Sequence, residues 1–294
     1  MKISIITLNY NKPQLTLICI HSLHKQYAGE LKNNSMEIIV VDNKSSDNSV
    51  KILKDELKKH HYPNTYVIAH ADNGGFGAGN NVGAKHAKGE ILLFLNNDTE
   101  VMDDGIVKMA EYMETRPTVG ILGGQVRNSD NSPQASAGSF YTLDKVFLLL
   151  IGMQRFGLLD KSPRTIEKVD WVKGALLMIR RETFEKIHGF DENIFMYTED
   201  MELCFRAKKA GFVSYSYPYI MVLHAEHGST NRTFAIVHIY EGLVYFYKKH
   251  MPSWQLWVLT CILKAKAIIL IFLGKRLHKE YLVSTYEQAL SIFR

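Results

Sequence analysis

Ile91-Leu92-Leu93-Phe94-Leu95-Asn96-Asn97-Asp98 is the stretch on which the reading of this chain turns. Its apolar run fits a strand buried on both faces, and a carboxylate follows close to the carboxyl end. In open α/β sheets, that end of a strand is where ligands bind. A second acidic cluster, Tyr197-Thr198-Glu199-Asp200-Met201-Glu202, opens a helical pattern far downstream. Two separated carboxylates, one beside a phosphate-type site and one free to take a proton, point to group transfer.

Around this stretch the first half alternates short apolar runs with amphipathic ones, as βαβ units do. Strands are expected over 3–8, 37–41, 66–69, 91–95 and 119–123, and helices over 15–23, 50–59, 79–87 and 104–116. Asp47 or Ser46 would cap the second helix and Asp103 the fourth. Each of the first four strands ends in a polar loop, and four such loops would gather on one edge of the sheet. Residues 129–168 join a Ser/Asn-rich turn to the apolar Val146-Phe147-Leu148-Leu149-Leu150-Ile151, which reads as a buried helix, a lid or a membrane-facing loop. Beyond it, 171–179 resembles a strand, 181–187 and 201–210 helices, and 213–217 another strand.

With 294 residues, 46% of them hydrophobic and 22% charged, the chain can bury a large core, and intrinsic disorder is excluded. Cys19, Cys204 and Cys261 are three in number and far apart, so neither a disulfide framework nor a zinc knuckle is indicated, and a reducing cytosol fits. The opening apolar run is too short for a signal-peptide core, so the fold is expected to start at residue 2. The net charge of +5 is uneven: from Arg232 onward nine Lys/Arg face three Glu, net +6, which leaves −1 for the rest. A near-neutral body with a basic, aromatic tail points to an anionic surface, lipid or nucleic acid.

Asn73-Gly74-Gly75-Phe76-Gly77-Ala78-Gly79-Asn80-Asn81 is a glycine-rich loop before a helix, able to expose backbone N–H groups to a phosphate. It is no dinucleotide fingerprint, because Asn80 or Val82 stands where G-x-G-x-x-G needs its last glycine, and no P-loop lysine follows. A flexible turn without a ligand is the alternative.

Taken in order, five motifs carry a resemblance: Thr7-Leu8-Asn9-Tyr10-Asn11, Val41-Asp42-Asn43-Lys44-Ser45-Ser46-Asp47-Asn48-Ser49, the glycine-rich loop, Leu95-Asn96-Asn97-Asp98, and Gly189-Phe190-Asp191-Glu192 through Glu199-Asp200 to Arg206. The chain resembles family 2 glycosyltransferases over residues 2–250, and within them the rhamnosyltransferase-like branch of bacterial surface polysaccharide synthesis. The implied fold is α/β of the GT-A type, a Rossmann-like, mixed and mostly parallel sheet flanked by helices. The implied layout is a donor half at 1–125, an acceptor half at 126–250 and a basic, hydrophobic, helical membrane-associated tail at 251–294.

The resemblance implies an inverting transfer of a sugar, with rhamnose from dTDP-rhamnose as the branch's donor, onto a glycan or lipid-linked hydroxyl. Thr7, Asn9 and Asp42 would hold the nucleoside, Asp42 accepting a uracil or thymine imide N–H; turn formation with Ser45 is its alternative role. Asn73 and Gly74 would also face the donor. Asn97 and Asp98 match the family's D-x-D motif, although Asn96 stands where the first acid belongs. Asp98 would hold Mn2+ or Mg2+ against the diphosphate, with His224 or its competitor His227 completing the shell. Asp200 would be the general base. Glu199 and Glu202 are its rivals, and acids in a first helical turn also favour the helix dipole. Trp171, Gly174 and Glu199 would face the acceptor, unless Trp171 is a core residue.

Two other classes compete. A glycoside hydrolase also uses paired carboxylates but needs no nucleotide-type loops. A non-catalytic binding protein would use the tail, whose Trp254, Trp257 and Phe272 among aliphatics suit lipid headgroups better than nucleic acid. Residues 254–273 are about a membrane span in length, yet Lys264 and Lys266 interrupt them, so an interfacial helix with snorkelling lysines is expected. The location implied is cytoplasmic, peripheral at the inner face of the cell membrane, with no nucleic-acid partner.

Overall fold

The computed structural model describes residues 2–150, 160–224 and 232–293, without the side chains of Leu149 and Leu150. The chain forms two compact units: Met1–Ser139 with Asp160–Glu192 and Asp200–His227, and Phe140–Leu159 with Asn193–Glu199 and Gly228–Arg294.

The first unit begins with β1 (Ile3–Asn9), α1 (Pro13–Gln26), α2 (Ala28–Lys32), β2 (Met36–Asp42), α3 (Ser49–Lys59), β3 (Thr65–Ala69), α4 (Gly75–His86) and β4 (Ile91–Leu95). It continues through β5 (Thr99–Val101), α5 (Gly105–Glu114), β6 (Val119–Arg127) and β7 (Ala137–Gly138). After α6 (Leu143–Leu150), which belongs to the second unit, come β8 (Asp160–Lys161), β9 (Glu167–Val169), β10 (Trp171–Val172), β11 (Leu176–Arg180), α7 (Arg181–Lys186), α8 (Glu199–Lys209) and β12 (Val213–His224). The second unit ends in α9 (Arg232–His250), α10 (Ser253–Arg276) and α11 (Glu280–Ser291).

The main sheet has the order β3-β2-β1-β4-β11-β6-β12-β5, with β9 pairing off β12, and a small second sheet runs β10-β7-β8. From β3 to β4 every pairing is parallel, with Asn9 opposite Asp42 and Asp42 opposite Ala69. Parallel strands point their carboxyl ends the same way, so the four polar loops share one edge as expected. Strand β11 runs antiparallel to both β4 and β6, which makes the sheet mixed. The order reverses between β1 and β4, and at such a switch point a crevice opens beyond the strand ends.

Alternate strand residues serve opposite faces. On one face, Ile5, Ile38, Val40, Leu93 and Met178 pack with Ile20 and Leu23 of α1, Leu53 of α3, and Ile106 and Met109 of α5. On the other, Phe94 meets Phe184 and Phe190, and Ile6 and Val41 face Gly83 of α4. Burying one leucine-sized side chain contributes roughly 1.5–3 kcal/mol, so this double-sided core fixes the strand ends firmly.

Three local expectations are revised. The stretch read as one strand over 171–179 is two, β10 and β11, in different sheets, because the loop between them turns at Gly174. The last strand runs on to His224, since a register shift after Tyr217 absorbs Pro218. Helix α4 starts at Gly75, so all the glycines of the motif except Gly74 lie inside it. A Cβ on Gly79 would stand 2.5 Å from Asn43 Oδ1, and one on Gly83 would meet Ile6. They are small so that the helix can approach β1 and β2 closely. Ile151 lies outside the described residues; α6 is helical, with Val146 buried and Phe147 exposed.

In the second unit α10 packs on α6, α9 and α11. It is long and apolar enough to cross a membrane by length and composition, with mean hydropathy 2.3 and 17% of its apolar window buried. Leu259, Leu263, Ala267 and Gly274 face inward, while Trp254, Trp257, Ile268, Ile269 and Phe272 are exposed. Lys264 turns over the Phe293 ring at 5.3 Å.

Candidate active site

The crevice between β1 and β4 is tied together by one hydroxyl. Thr16 Oγ1, on α1, donates to Asn9 Oδ1 at 2.8 Å and accepts from Asn97 Nδ2 at 2.9 Å. Asn9 Nδ2 in turn donates to Asp42 Oδ2 at 2.7 Å. Asp42 also takes the Ser45 N–H (2.9 Å) and hydroxyl (2.6 Å), forming the turn with Ser45. A carboxylate offers about four lone-pair sites, and three are used, so Asp42 can close its turn and still accept a ligand N–H. Thr7 is buried on β1 with its hydroxyl unpartnered, as is His70 Nδ1 beyond β3. Unpaired buried polar atoms of this kind mark places where a ligand can complete the bonding. Asn73 turns the chain into α4, its Oδ1 accepting the Gly75 N–H at 3.1 Å, and Gly74 is the N-cap residue.

Next to the crevice, Asp98, in the loop after β4, and His224, on β12, come together. His224 Nε2 lies 3.1 Å from Asp98 Oδ1 and 3.3 Å from Asn96 Nδ2, and both Asp98 and His224 are largely covered. Gln134 decides which nitrogen carries the proton. Its Nε2 donates to the His224 carbonyl at 3.0 Å and to Asn128 Oδ1 at 2.7 Å, so its Oε1 faces His224 Nδ1 at 2.8 Å. Nδ1 must therefore carry the hydrogen, and in the neutral ring the Nε2 lone pair points at a carboxylate. Two electron-rich atoms at that separation need a proton or a cation between them. A histidine oriented through its other nitrogen is the usual arrangement at metal sites, and a nitrogen and oxygen donor pair suits Mn2+. These residues fit a divalent cation. His227 lies outside the described residues.

The second carboxylate is held differently. Asp200, in the first turn of α8, accepts the Gly174 N–H at 2.9 Å on Oδ2 and the Met201 N–H at 2.7 Å on Oδ1. Burial pushes its pKa up, and the Gly174 and Met201 amides, followed by Lys173, oppose the rise. Tyr197 and Thr198 just before it are both in the left-handed region, a conformation that costs about 1–3 kcal/mol per residue and clusters at functional sites. Ala175, next to Gly174, accepts the Asn96 N–H at 3.1 Å. The two-residue segment Gly174–Ala175 thus joins both carboxylate sites within the first unit, one through each residue.

Of the other expected residues, Trp171 is buried with its indole N–H donating to the Ser139 carbonyl at 3.1 Å. Glu199 is buried and belongs to the second unit. Glu202 is fully buried and paired with Arg206, which also donates to the Ile187 and Gly189 carbonyls, so it braces α8. Sequence reasoning missed Gln134, Asn128, Thr16 and His70. The first two sit in the Ser/Asn-rich turn, whose pairing with β6 through Arg127 and Pro133 gives no periodic signal.

This sheet, with its switch-point crevice and two carboxylates, defines the GT-A class of fold. It is similar to a mannosyltransferase of Pyrobaculum calidifontis solved in complex with GDP-Man and Mn2+, at TM-score 0.62 and 16% identity, covering 99% of this chain and 85% of that one. The family model described as glycosyl transferase family 2 matches residues 4–198, and the chain belongs to that family. Among curated relatives, the rhamnosyltransferase WbbL of Escherichia coli (strain K12) is 26% identical over 236 residues, 74% of this chain and 85% of that protein. The N-acetylglucosaminyl-diphospho-decaprenol L-rhamnosyltransferase of Mycobacterium tuberculosis is 26% identical over 246 residues, 75% and 77% of the two chains. The chain is a glycosyltransferase.

Proposed function

We propose that this enzyme transfers a rhamnosyl group, with inversion, from a nucleotide-diphosphate sugar of the dTDP-rhamnose type to a hydroxyl of a glycan or lipid-linked acceptor. The observation that carries the reading is the orientation of His224: Gln134 takes Nδ1 as its donor, so that Nε2 faces Asp98 Oδ1 at 3.1 Å. Asp98 and His224 would hold a divalent cation, Mn2+ or Mg2+, which supplies charge neutralisation to the departing diphosphate. Asn9, Asp42 and Thr7 line the nucleoside end, with Asn73, Gly74 and Asn97 toward the rest of the donor. Asp200 takes the proton of the acceptor hydroxyl as its oxygen attacks the anomeric carbon. The Gly174 and Met201 amides fix that carboxylate's direction while each oxygen keeps a lone pair for the incoming proton. Burial makes Asp200 a stronger base than a solvated aspartate, as the step requires. Trp171 and Glu199 belong to the acceptor side in this reading, and the donor half, acceptor half and tail keep the boundaries 1–125, 126–250 and 251–294.

The rhamnosyl assignment rests on the two rhamnosyltransferases among the relatives, one named for a diphospho-decaprenol-linked acceptor. A lipid-linked acceptor agrees with α10, whose outward Trp254, Trp257, Ile268 and Phe272 suit a lipid surface while Lys264 is turned onto Phe293. The tail then lies along the cytoplasmic face of the membrane. The deciding experiment incubates the protein with a panel of nucleotide sugars and a lipid-linked acceptor, with and without Mn2+. Metal-dependent transfer from dTDP-rhamnose is expected. Turnover of a different donor alone would overturn the rhamnosyl assignment, and sugar release from an oligosaccharide without nucleotide would favour a hydrolase. Trp254→Ser with Trp257→Ser should reduce sedimentation with anionic liposomes, and unchanged sedimentation would remove α10 from that role.

A further inference from the structure

Far along the chain from the crevice residues of β4 and β12, helices α1 and α3 bring His21, Glu56 and His60 together. Their ligand atoms all lie within 4.8 Å of one another. His60 is the C-cap residue of α3, and its N–H still bonds the Glu56 carbonyl at 3.1 Å. That bond keeps the last turn helical, so the two side chains stand on one face, one turn apart. The His60 Nε2 to Glu56 Oε2 separation is 3.3 Å. Two ligands at about 2.1 Å from a tetrahedral ion stand about 3.4 Å apart, so this edge of the polyhedron is already formed.

The cluster is also preorganised by an aromatic side chain. His61 takes a positive φ of 50°, and the chain turns so that the Tyr62 ring packs between histidines. The ring stacks on His24 at 3.6 Å and on His60 at 5.2 Å, and its hydroxyl meets His21 Nδ1 at 2.6 Å. In the tautomer that donates from Nδ1 to the phenol oxygen, the ring is fixed and Nε2 is left as a metal donor, the arrangement that tunes metal-bound histidines elsewhere. His24 is used up by its bond to Thr65 Oγ1 at 2.8 Å. Lys59 competes for the carboxylate: its ammonium lies 3.0 and 3.2 Å from the Glu56 oxygens, on an exposed side chain that can swing into solvent.

We propose that His21, Glu56 and His60 form a second metal site, of the Zn2+ class, that clamps α1 to α3. Two imidazoles and one carboxylate select Zn2+ and its neighbours Co2+, Ni2+ and Cu2+ over Mg2+ or Ca2+. Three protein ligands leave the fourth position to water. The clamp acts on the donor crevice through α1, since the same helix carries Thr16, the hydroxyl that joins Asn9 to Asn97.

The full chain carrying His224→Ala, so that the crevice site does not contribute, is stripped with a chelator and titrated with Zn2+ by calorimetry and with Co2+ by visible absorption. One equivalent of each is expected to bind, with the intense visible bands of a low-coordinate Co2+ ion, and Zn2+ should raise the melting temperature. Adding His21→Ala or His60→Ala should weaken Zn2+ at least about tenfold, and both together should abolish the Co2+ bands. Glu56→Gln keeps the shape of a half-exposed side chain, and it should weaken Zn2+ while leaving the metal-free melting temperature within a degree or two. Absence of a one-equivalent Co2+ complex overturns the proposal, as does unchanged Zn2+ affinity in the double histidine variant or in Glu56→Gln.

Discussion

The short segment Gly174–Ala175 bonds Asp200 through one residue and Asn96, two positions before Asp98, through the other, and the protein treats the two carboxylates in opposite ways. Asp98 is met by the His224 side chain, arriving from another strand. Asp200 is met by two backbone amides of its own surroundings, Gly174 and Met201. Side-chain partners can move apart to admit an ion. Backbone donors cannot, so they fix a direction for one carboxylate while burial raises its basicity. In the proposed mechanism this contrast gives the holding role to the first carboxylate and proton transfer to the second, and experiment can break it.

The largest effect is expected at Asp200. Asp200→Asn keeps the shape but removes the base, and turnover should fall by about 10²–10⁴-fold, while Mn2+-dependent nucleotide binding, read by thermal shift, is retained. Equal loss of binding and turnover would mean that Asp200 is a donor ligand, and the contrast would collapse. At the other carboxylate, Asp98→Asn or His224→Ala should cost about a hundredfold in metal affinity, and excess Mn2+ should recover part of the turnover. No metal rescue is expected for Asp200→Asn, so the two substitutions separate by their response to a single additive.

How far this could be read from the sequence differs between the two sites. Asp98 was visible because a run of five buried residues, Ile91 to Leu95, makes a parallel strand recognisable, and the residues directly after such a strand must lie at the sheet edge. Asn9 and Asp42 were visible for the same reason on β1 and β2. The glycine-rich motif was equally visible but its role was not, because the need for Gly79 and Gly83 comes from Asn43, Ile6 and Val41 on other elements. Gln134 was hidden further still: it reaches His224 across 90 positions of sequence from a short turn without hydrophobic period. Strand ends announce themselves through local pattern, whereas the residues that orient them are chosen by tertiary packing.

A smaller effect tests that hidden residue. Gln134→Leu leaves both proposed ligands in place but removes the acceptor for His224 Nδ1, so the ring loses its preference for the tautomer with Nε2 unprotonated. Metal affinity should drop by about tenfold, with turnover at saturating Mn2+ nearly unchanged. Gln134→Glu keeps the acceptor at Nδ1 but removes the donor to the His224 carbonyl and to Asn128, and it should retain more affinity than Gln134→Leu. If the two variants behave alike, His224 is oriented by packing and not by this bond.

The smallest effect concerns pH, and its sign is fixed by Asp200. An aspartate whose folded-state pKa is raised above the ordinary value of 3.8 binds its proton more tightly in the native protein than in the unfolded chain. Above that ordinary value the unfolded chain releases the proton first, so Asp200 lowers stability progressively as pH rises toward the raised pKa. Asp200→Asn removes this contribution. Between pH 4 and the neutral range, the melting temperature of the parent should fall relative to that of Asp200→Asn as pH rises, measured by scanning calorimetry in steps of pH. In the same window turnover of the parent should climb with pH, because the base acts only when deprotonated. Activity and stability should therefore move in opposite directions with one apparent pKa.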